Sequence, residues 1–270
     1  GADVQPMLAS AMPEGKTIMD YAGPDWVMEE KIDGHRLLVT VTNDAVTART
    51  RPSASHDSND RQLPPHIVAA ALTLMPGIYD AELYLPGGKA TDVARIDNRD
   101  KLKLAIFDVI EMTGTLLIGK TYRERESYLM DSIELADSVS LHRVAPGPVS
   151  KVAVGAIWAR GGEGAILKHV NSPYVSGARS EWWIKVKKIE SAKLTITGFK
   201  EGKLGPHSIC VLKTDDGTET TVKVLNNDTL ADIAKDPNKY IGSSLVIEHQ
   251  GSTKNGVYRH PMWDHVIFKA

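Results

Sequence analysis

Apolar and polar positions along the first 188 residues follow two alternating spacings. Trp26–Met28 and His35–Thr42 read as strands around a turn, and Asn43-Asp44 supplies a second turn. Pro64-Pro65 opens a helical pattern through Ile67–Met75, with proline where its missing N–H does no harm. Ile78–Leu85 and Lys103–Val109 read as strands, and Tyr122–Leu135 as an amphipathic helix. Val149–Arg160 reads as helical, followed by a glycine turn and the strand Ala165–His169. The pattern predicts an α+β domain with much antiparallel character.

The texture changes near Ile189 and becomes mostly β. Lys193–Phe199, Ser208–Thr214, Thr220–Leu225 and Ser244–Gln250 alternate as short strands, and Val257–Phe268 supplies a fifth. Asp228–Ala234 is the one helical interruption. Five strands with a helix between the third and fourth predict a small all-β barrel of OB type over residues 189–270.

Composition changes this picture little. The chain has 270 residues, 42% hydrophobic and 24% charged, which fits a globular protein able to bury a core. No apolar run approaches the roughly 20 residues needed to span a bilayer, so no membrane partner is expected. The stretch GADVQPMLAS shows no signal-peptide pattern, although the chain does not begin with Met and a removed leader is left open. A cytoplasmic location is therefore expected, with the periplasm after leader removal as the alternative. The single Cys210 excludes an internal disulfide framework and a cysteine-rich zinc site, and reads as a small buried hydrophobe. A net charge of −2 argues against indiscriminate nucleic-acid binding but leaves room for a local basic patch, such as Lys168–Lys188.

Candidate chemistry centres on Glu29-Glu30-Lys31-Ile32-Asp33-Gly34-His35-Arg36. Here a lysine sits between a strand and a glycine turn, with carboxylates on both sides; alone, it reads equally as a solvated turn. Asp80-Ala81-Glu82 lies inside an apolar strand, and alternation puts both carboxylates on one face. That pair suits a hard divalent cation, or else a solvent-facing strand edge. Glu163 to Lys168 repeats an acid at a glycine turn before a strand ending in lysine. In Trp183-Ile184-Lys185-Val186-Lys187 both lysines share a face, as suits phosphate binding or a guarded edge strand.

Together these segments resemble the superfamily of ATP-dependent DNA ligases, RNA ligases and mRNA-capping enzymes. The signature K-x-D-G-x-R stands at Lys31–Arg36, then D-x-E at Asp80–Glu82, Phe107-Asp108, E-G-x-x-x-K at Glu163–Lys168, and W-x-K-x-K at Trp183–Lys187. Five motifs in this order, across most of the first 190 residues, are far more specific than any one of them. Pro6-Met7-Leu8-Ala9 and Arg259-His260-Pro261 further resemble segments of DNA ligases, the latter an element of their OB domain. The short chain looks like the minimal ligases of phages and some bacteria.

The resemblance implies a nucleotidyltransferase (adenylation) domain over residues 1–188 and an OB domain over 189–270. It implies a monomer that uses ATP with Mg2+, or Mn2+ in its place, to seal nicks in double-stranded DNA. Lys31 would attack the α-phosphate, expel pyrophosphate and carry AMP as a phosphoramidate. Lys185 and Lys187 would hold that phosphate and favour the free amine, because a lysine at its ordinary pKa of about 10.4 is a poor nucleophile at neutral pH. Glu29 would meet the adenine edge, Ile32 the nucleotide, and Arg36 its sugar-phosphate. Phe107 would pack on the base or in the core, and Glu82 and Glu163 would contact ribose or metal. Arg51, with Arg49 as the competing register, would reach the ribose and the nick phosphate. Lys168, Arg179 and Arg259 complete the expected DNA contacts, Arg179 alternatively capping a surface loop. Met262 stands where many cellular ligases place another arginine, which weakens the expected role of the C-terminal motif.

The rivals are an RNA ligase, a capping enzyme that transfers GMP, and a nucleic-acid-binding protein with a dead transferase site. Leu85–Arg99 reads as a DNA-contacting loop or a connector.

Overall fold

In the computed structural model, residues 4–134, 136, 139–253 and 255–270 are described. Leu135, the last residue of the expected helix, and the first three residues of the N-terminal stretch lie outside them. By contact density the chain divides into two compact units, one ending at Val186 and one over Lys187–Ala270.

The first unit is built on two sheets. One has five strands, in the spatial order Leu8–Ala11, Arg179–Val186, Gly164–His169, Trp26–Lys31 and Gly147–Pro148. All of its pairings are antiparallel except that of Leu8–Ala11 with Arg179–Val186. The second has seven strands, with His35–Val41, Gly77–Tyr84 and Lys103–Met112 at its centre. The hairpin expected at Asn43-Asp44 is present, linking His35–Val41 to Val46–Thr50.

Burial decides the layering. Leu37, Val39, Tyr79, Ala81, Leu104 and Ile106 pack with helices Pro65–Ala71 and Tyr122–Glu134 on one face of the seven-stranded sheet. Its other face meets the five-stranded sheet through Met7, Leu38, Ile110, Tyr174 and Trp183. Met28, Ala165, Leu167 and Ile184 line the outer face of the five-stranded sheet, with Val154 of helix Lys151–Ala159. Residues alternating with these point inward, which aims Glu29, Lys31, Lys168 and Lys185 at the space between the sheets.

Leu85–Arg99 carries structure that its composition hid: a helical turn at Ala90–Val93 and the start of a 3-10 helix, Ile96–Lys101. Ala90 is tied to the signature turn, donating its N–H to Asp33 Oδ1 at 3.2 Å.

The second unit is one five-stranded antiparallel sheet, ordered Glu219–Lys223, Gly205–Lys213, Glu190–Gly202, Ser244–His249 and Met262–Ile267. Helices Asn227–Lys235 and Pro237–Tyr240 fall between its third and fourth strands in chain order. The two edge strands approach each other. Cys210 is fully buried, and burial pushes its thiol up to about 12, which leaves it inert. Among the described residues, no helix is long and apolar enough to cross a membrane.

Candidate active site

A cleft of about 840 Å³ opens between the two sheets of the first unit. Its lining includes Glu29, Lys31, Ile32, Arg36, Arg51, Glu82, Phe107, Glu163, Lys168, Arg179 and Lys185, residues contributed by six separate sequence segments.

Lys31 ends the strand Trp26–Lys31, and its ammonium contacts Glu163 Oε1; both side chains are about one-third exposed. Glycine is required beside each of them. A Cβ on Gly34 would lie 2.2 Å from the Leu83 carbonyl oxygen, and one on Gly164 would lie 2.3 Å from that of Val186. Gly164 also has φ +148°. The two glycines let the Lys31 turn and the Glu163 turn press against neighbouring strands.

Beneath Lys31 lies a buried polar floor. Glu29 and Lys168, each 2% exposed, pair at 2.8 Å, and Tyr122 donates its hydroxyl to the other Glu29 oxygen. Burial raises the Glu29 carboxyl above its ordinary value, and Lys168 works against that shift. The Lys168 ammonium also sits 4.1 Å from the Trp183 ring centre and 4.6 Å from that of Phe107. This corrects the expectation that Lys168 meets DNA: its charge is enclosed by Glu29 and two rings, out of reach of a phosphate backbone. Phe107 packs against the buried inter-sheet cluster, as the core description expects, and also lines the cleft.

A second correction concerns Asp80 and Glu82. Asp80 is fully buried and takes a two-pronged contact from Arg36, Nε to Oδ1 and Nη2 to Oδ2, both at 2.6 Å. Tyr174 donates its hydroxyl to the same carboxylate. Asp80 is therefore committed to Arg36, and only Glu82 of the pair lines the cleft. Arg36 is itself largely spoken for, because Nη2 also bonds the Met7 carbonyl at 2.8 Å. It holds Pro6-Met7-Leu8-Ala9 against the signature strand more than it offers donors to a nucleotide. Neither Tyr122 nor Tyr174 was flagged by any motif; only burial with a polar tip between two sheets marks them.

Glu82 accepts from the Gly34 N–H at 3.2 Å. Burial pushes its carboxyl up to about 7, with Asp80 adding to the shift and Arg36 and Lys31 opposing it. A carboxyl raised on folding favours the protonated form, so its cost is absent below about pH 4.5 and complete above about pH 7. Glu82→Gln is accordingly expected to stabilise the ligand-free protein by roughly 2–3 kcal/mol at pH 8, with the gain shrinking towards pH 5. Urea midpoints at the two pH values measure this, and a pH-independent gain would contradict it.

Arg51 lines the cleft, whereas Arg49 turns away to Asp60 at 3.4 Å and to Ser58, which favours the Arg51 register. Arg179 lines the cleft while donating to the Ala9 carbonyl at 2.8 Å. The strand bearing Lys185 stops at Val186, so Lys187 falls beyond it, exposed, in the second unit. Arg259 also belongs to the second unit, in the segment before its last strand. Among the described residues, no group of three or more His, Cys, Asp or Glu side chains is arranged to hold a metal ion.

Two largely antiparallel sheets enclosing a cleft that holds Lys31 define a nucleotidyltransferase-type ligase fold. The ligase domain of Mycobacterium tuberculosis LigD superposes with a TM-score of 0.60 at 21% identity, covering 98% of this chain and 95% of that one. A Lig E DNA ligase superposes with a TM-score of 0.53 at 21% identity, covering 98% and 100%. The chain belongs to the ATP-dependent DNA ligase domain family, whose model matches residues 6–187. Among relatives, the multifunctional non-homologous end joining DNA repair protein LigD of Mycobacterium tuberculosis is 27% identical over 210 residues, 76% of this chain and 27% of that protein. A probable DNA ligase of Mycobacterium sp. (strain KMS) is 29% identical over 222 residues, 76% of this chain and 42% of that protein. The chain thus spans between about a quarter and under half the length of these relatives.

Proposed function

We propose that this chain is an ATP-dependent DNA ligase that seals nicks in duplex DNA through AMP carried on Lys31. The observation that carries the reading is the Lys31 amine set against Glu163 in a cleft that also holds Lys185, Arg51 and Arg179. Adenine would rest near Phe107 over the Glu29–Lys168 floor, where it would present hydrogen-bonding edges to Glu29. The Trp183 indole N–H supports a polar ligand here, since it is buried beside the cleft with no partner among the described residues. The amine of Lys31 attacks the α-phosphorus, the bond to the β-phosphate oxygen breaks, and pyrophosphate leaves with that electron pair. The AMP then passes to a 5′-phosphate at the nick, and the 3′-hydroxyl displaces it as the backbone closes. Such transfers depend on positioning and charge neutralisation, which Lys185 and the cleft arginines supply.

Glu82 and Glu163 fit a divalent cation only as partial ligands, because Asp80 is bound to Arg36 and phosphate oxygens must complete the set. Bound Mg2+ would neutralise developing charge on those phosphates. Lys187 would bind phosphate, and for the second unit we propose an OB-type barrel over residues 189–270. Its five-strand antiparallel order, the helices between the third and fourth strands and the approach of its edge strands support that assignment. Arg259 would act from that unit on DNA.

Incubation with Mg2+ and α-labelled ATP or GTP, followed by nicked DNA, tests the reading. Label from ATP that stays on denatured protein and leaves as nicks close is the expected result. Label from GTP would indicate capping, an adduct without DNA sealing an RNA ligase, and no adduct on folded, unadenylylated protein a binding role only.

A further inference from the structure

The cations of the cleft are not equally available. Lys31 contacts Glu163, Arg36 contacts Asp80, and Lys168 contacts Glu29. Arg61 differs. It lines the same cleft, yet among the described residues no carboxylate lies within ion-pair distance of it. Its neighbour Asp60 is paired with Arg49 instead, at 3.4 Å. Among the described residues the side chain of Arg61 meets a neutral ring: Nη1 lies 2.9 Å from His35 Nδ1.

Arginine can only donate, so Nδ1 must be the acceptor and the proton of His35 must sit on Nε2. The nearby Ala90 backbone favours the protonated ring, the weakest of the influences on it. Burial, and then the adjacent Arg61 charge, lower the His35 pKa below its ordinary value. His35 thus fixes one arm of Arg61 without cancelling any of its charge. A guanidinium half-buried in a cleft and left uncompensated is costly unless an anion completes it. Arg51, ten residues earlier, lines the same cleft, and Ser53, His56 and Asn59 of the intervening segment line it too. Two arginines lining one cleft on either side of a polar segment suit the recognition of phosphate oxygens.

We propose that Arg61, held by His35, is a phosphate-binding residue for the substrate, additional to the lysines that take the α-phosphate. The inference rests on the ligase reading above. The phosphate belongs either to the β,γ-end of the nucleotide or to the DNA strand at the nick.

The test compares Arg61→Ala and Arg61→Lys with wild type and with Arg49→Ala, an arginine paired away from the cleft. Equilibrium binding of ATP in Mg2+-free buffer and binding of nicked duplex across a salt series are measured on each, with thermal melting to establish folding. If the nucleotide supplies the phosphate, Arg61→Ala weakens ATP roughly tenfold and leaves DNA affinity unchanged. If DNA supplies it, ATP binding is unchanged, DNA affinity falls roughly tenfold, and the slope of log K against log salt falls by about one. In either arm Arg61→Lys recovers part of the loss, and Arg49→Ala matches wild type. A folded Arg61→Ala protein with wild-type affinity for both ligands would overturn the proposal. So would equal losses in Arg49→Ala, which would reduce the effect to general surface charge. Failure of the ligase reading would look different, because wild-type protein itself would then form no lysyl-AMP and seal no nick.

Discussion

Lys31→Ala is expected to fold normally and to lose uptake of AMP by roughly four orders of magnitude or more. The size of the effect follows from covalency. Removing a donor that stabilises a transition state leaves a slower reaction, whereas removing the nucleophile leaves none on this route. The structural cost is small for a separate reason. Lys31 and Glu163 are each about one-third exposed, so losing their contact changes stability by no more than about 1 kcal/mol. Lys31→Arg is the sharper companion, since it keeps the cation beside Glu163 but offers no amine. Label on denatured protein that survives alkali and is released by acid, as a phosphoramidate is, read beside a thermal melt, measures both claims. Labelled Lys31→Ala protein would move the nucleophile elsewhere, and unfolded protein would mean that the Lys31–Glu163 contact is structural.

Local spacing carried much of the architecture into view. The hairpin at Asn43-Asp44, the helix opened by Pro64-Pro65 and the change of texture near Ile189 each depend on neighbours within a few residues. The short strands Gly147–Pro148 and Asp60–Arg61 did not, because two residues carry no period, and the pairing of Gly147–Pro148 is set by a partner far along the chain. The same distinction explains the site. Glycine turns placed Lys31 and Glu163 at strand ends, and motif order brought them to one cleft. Alternation put Asp80 and Glu82 on one strand face, but periodicity does not distinguish a face that meets water from one that meets a second sheet. Lys168 was therefore expected on DNA and is enclosed instead. The Asp80–Glu82 pair was expected to suit a divalent cation or to face solvent at a strand edge, and Asp80 is instead bound to Arg36, a contact between residues 44 positions apart.

The enclosed pair is where the largest stability effect should appear. Lys168→Met removes the ammonium that offsets the burial of Glu29, while preserving most of the apolar stem among Phe107 and Trp183. Glu29 then faces a choice between remaining charged and unpaired, or taking a proton. The second is cheaper, since stranding a buried carboxylate costs several kcal/mol. Holding a carboxyl of ordinary pKa 4.5 protonated at pH 7.5 costs about 4 kcal/mol, and at pH 5.5 about 1.5 kcal/mol. The direction follows from the shift: a raised carboxyl contributes stability below its unfolded pKa and loses it as pH rises through its folded one. The destabilisation of Lys168→Met should therefore be roughly 3–4 kcal/mol near pH 7.5 and should shrink by about half or more at pH 5.5. Adding Glu29→Gln removes the titrating group and should restore much of the loss at pH 7.5. Urea unfolding of the two single variants and the double variant at both pH values decides the matter. A Lys168→Met penalty that stayed constant between those pH values would mean that Glu29 is not the group that suffers, and that Lys168 stabilises the floor through its contacts with Phe107 and Trp183 alone.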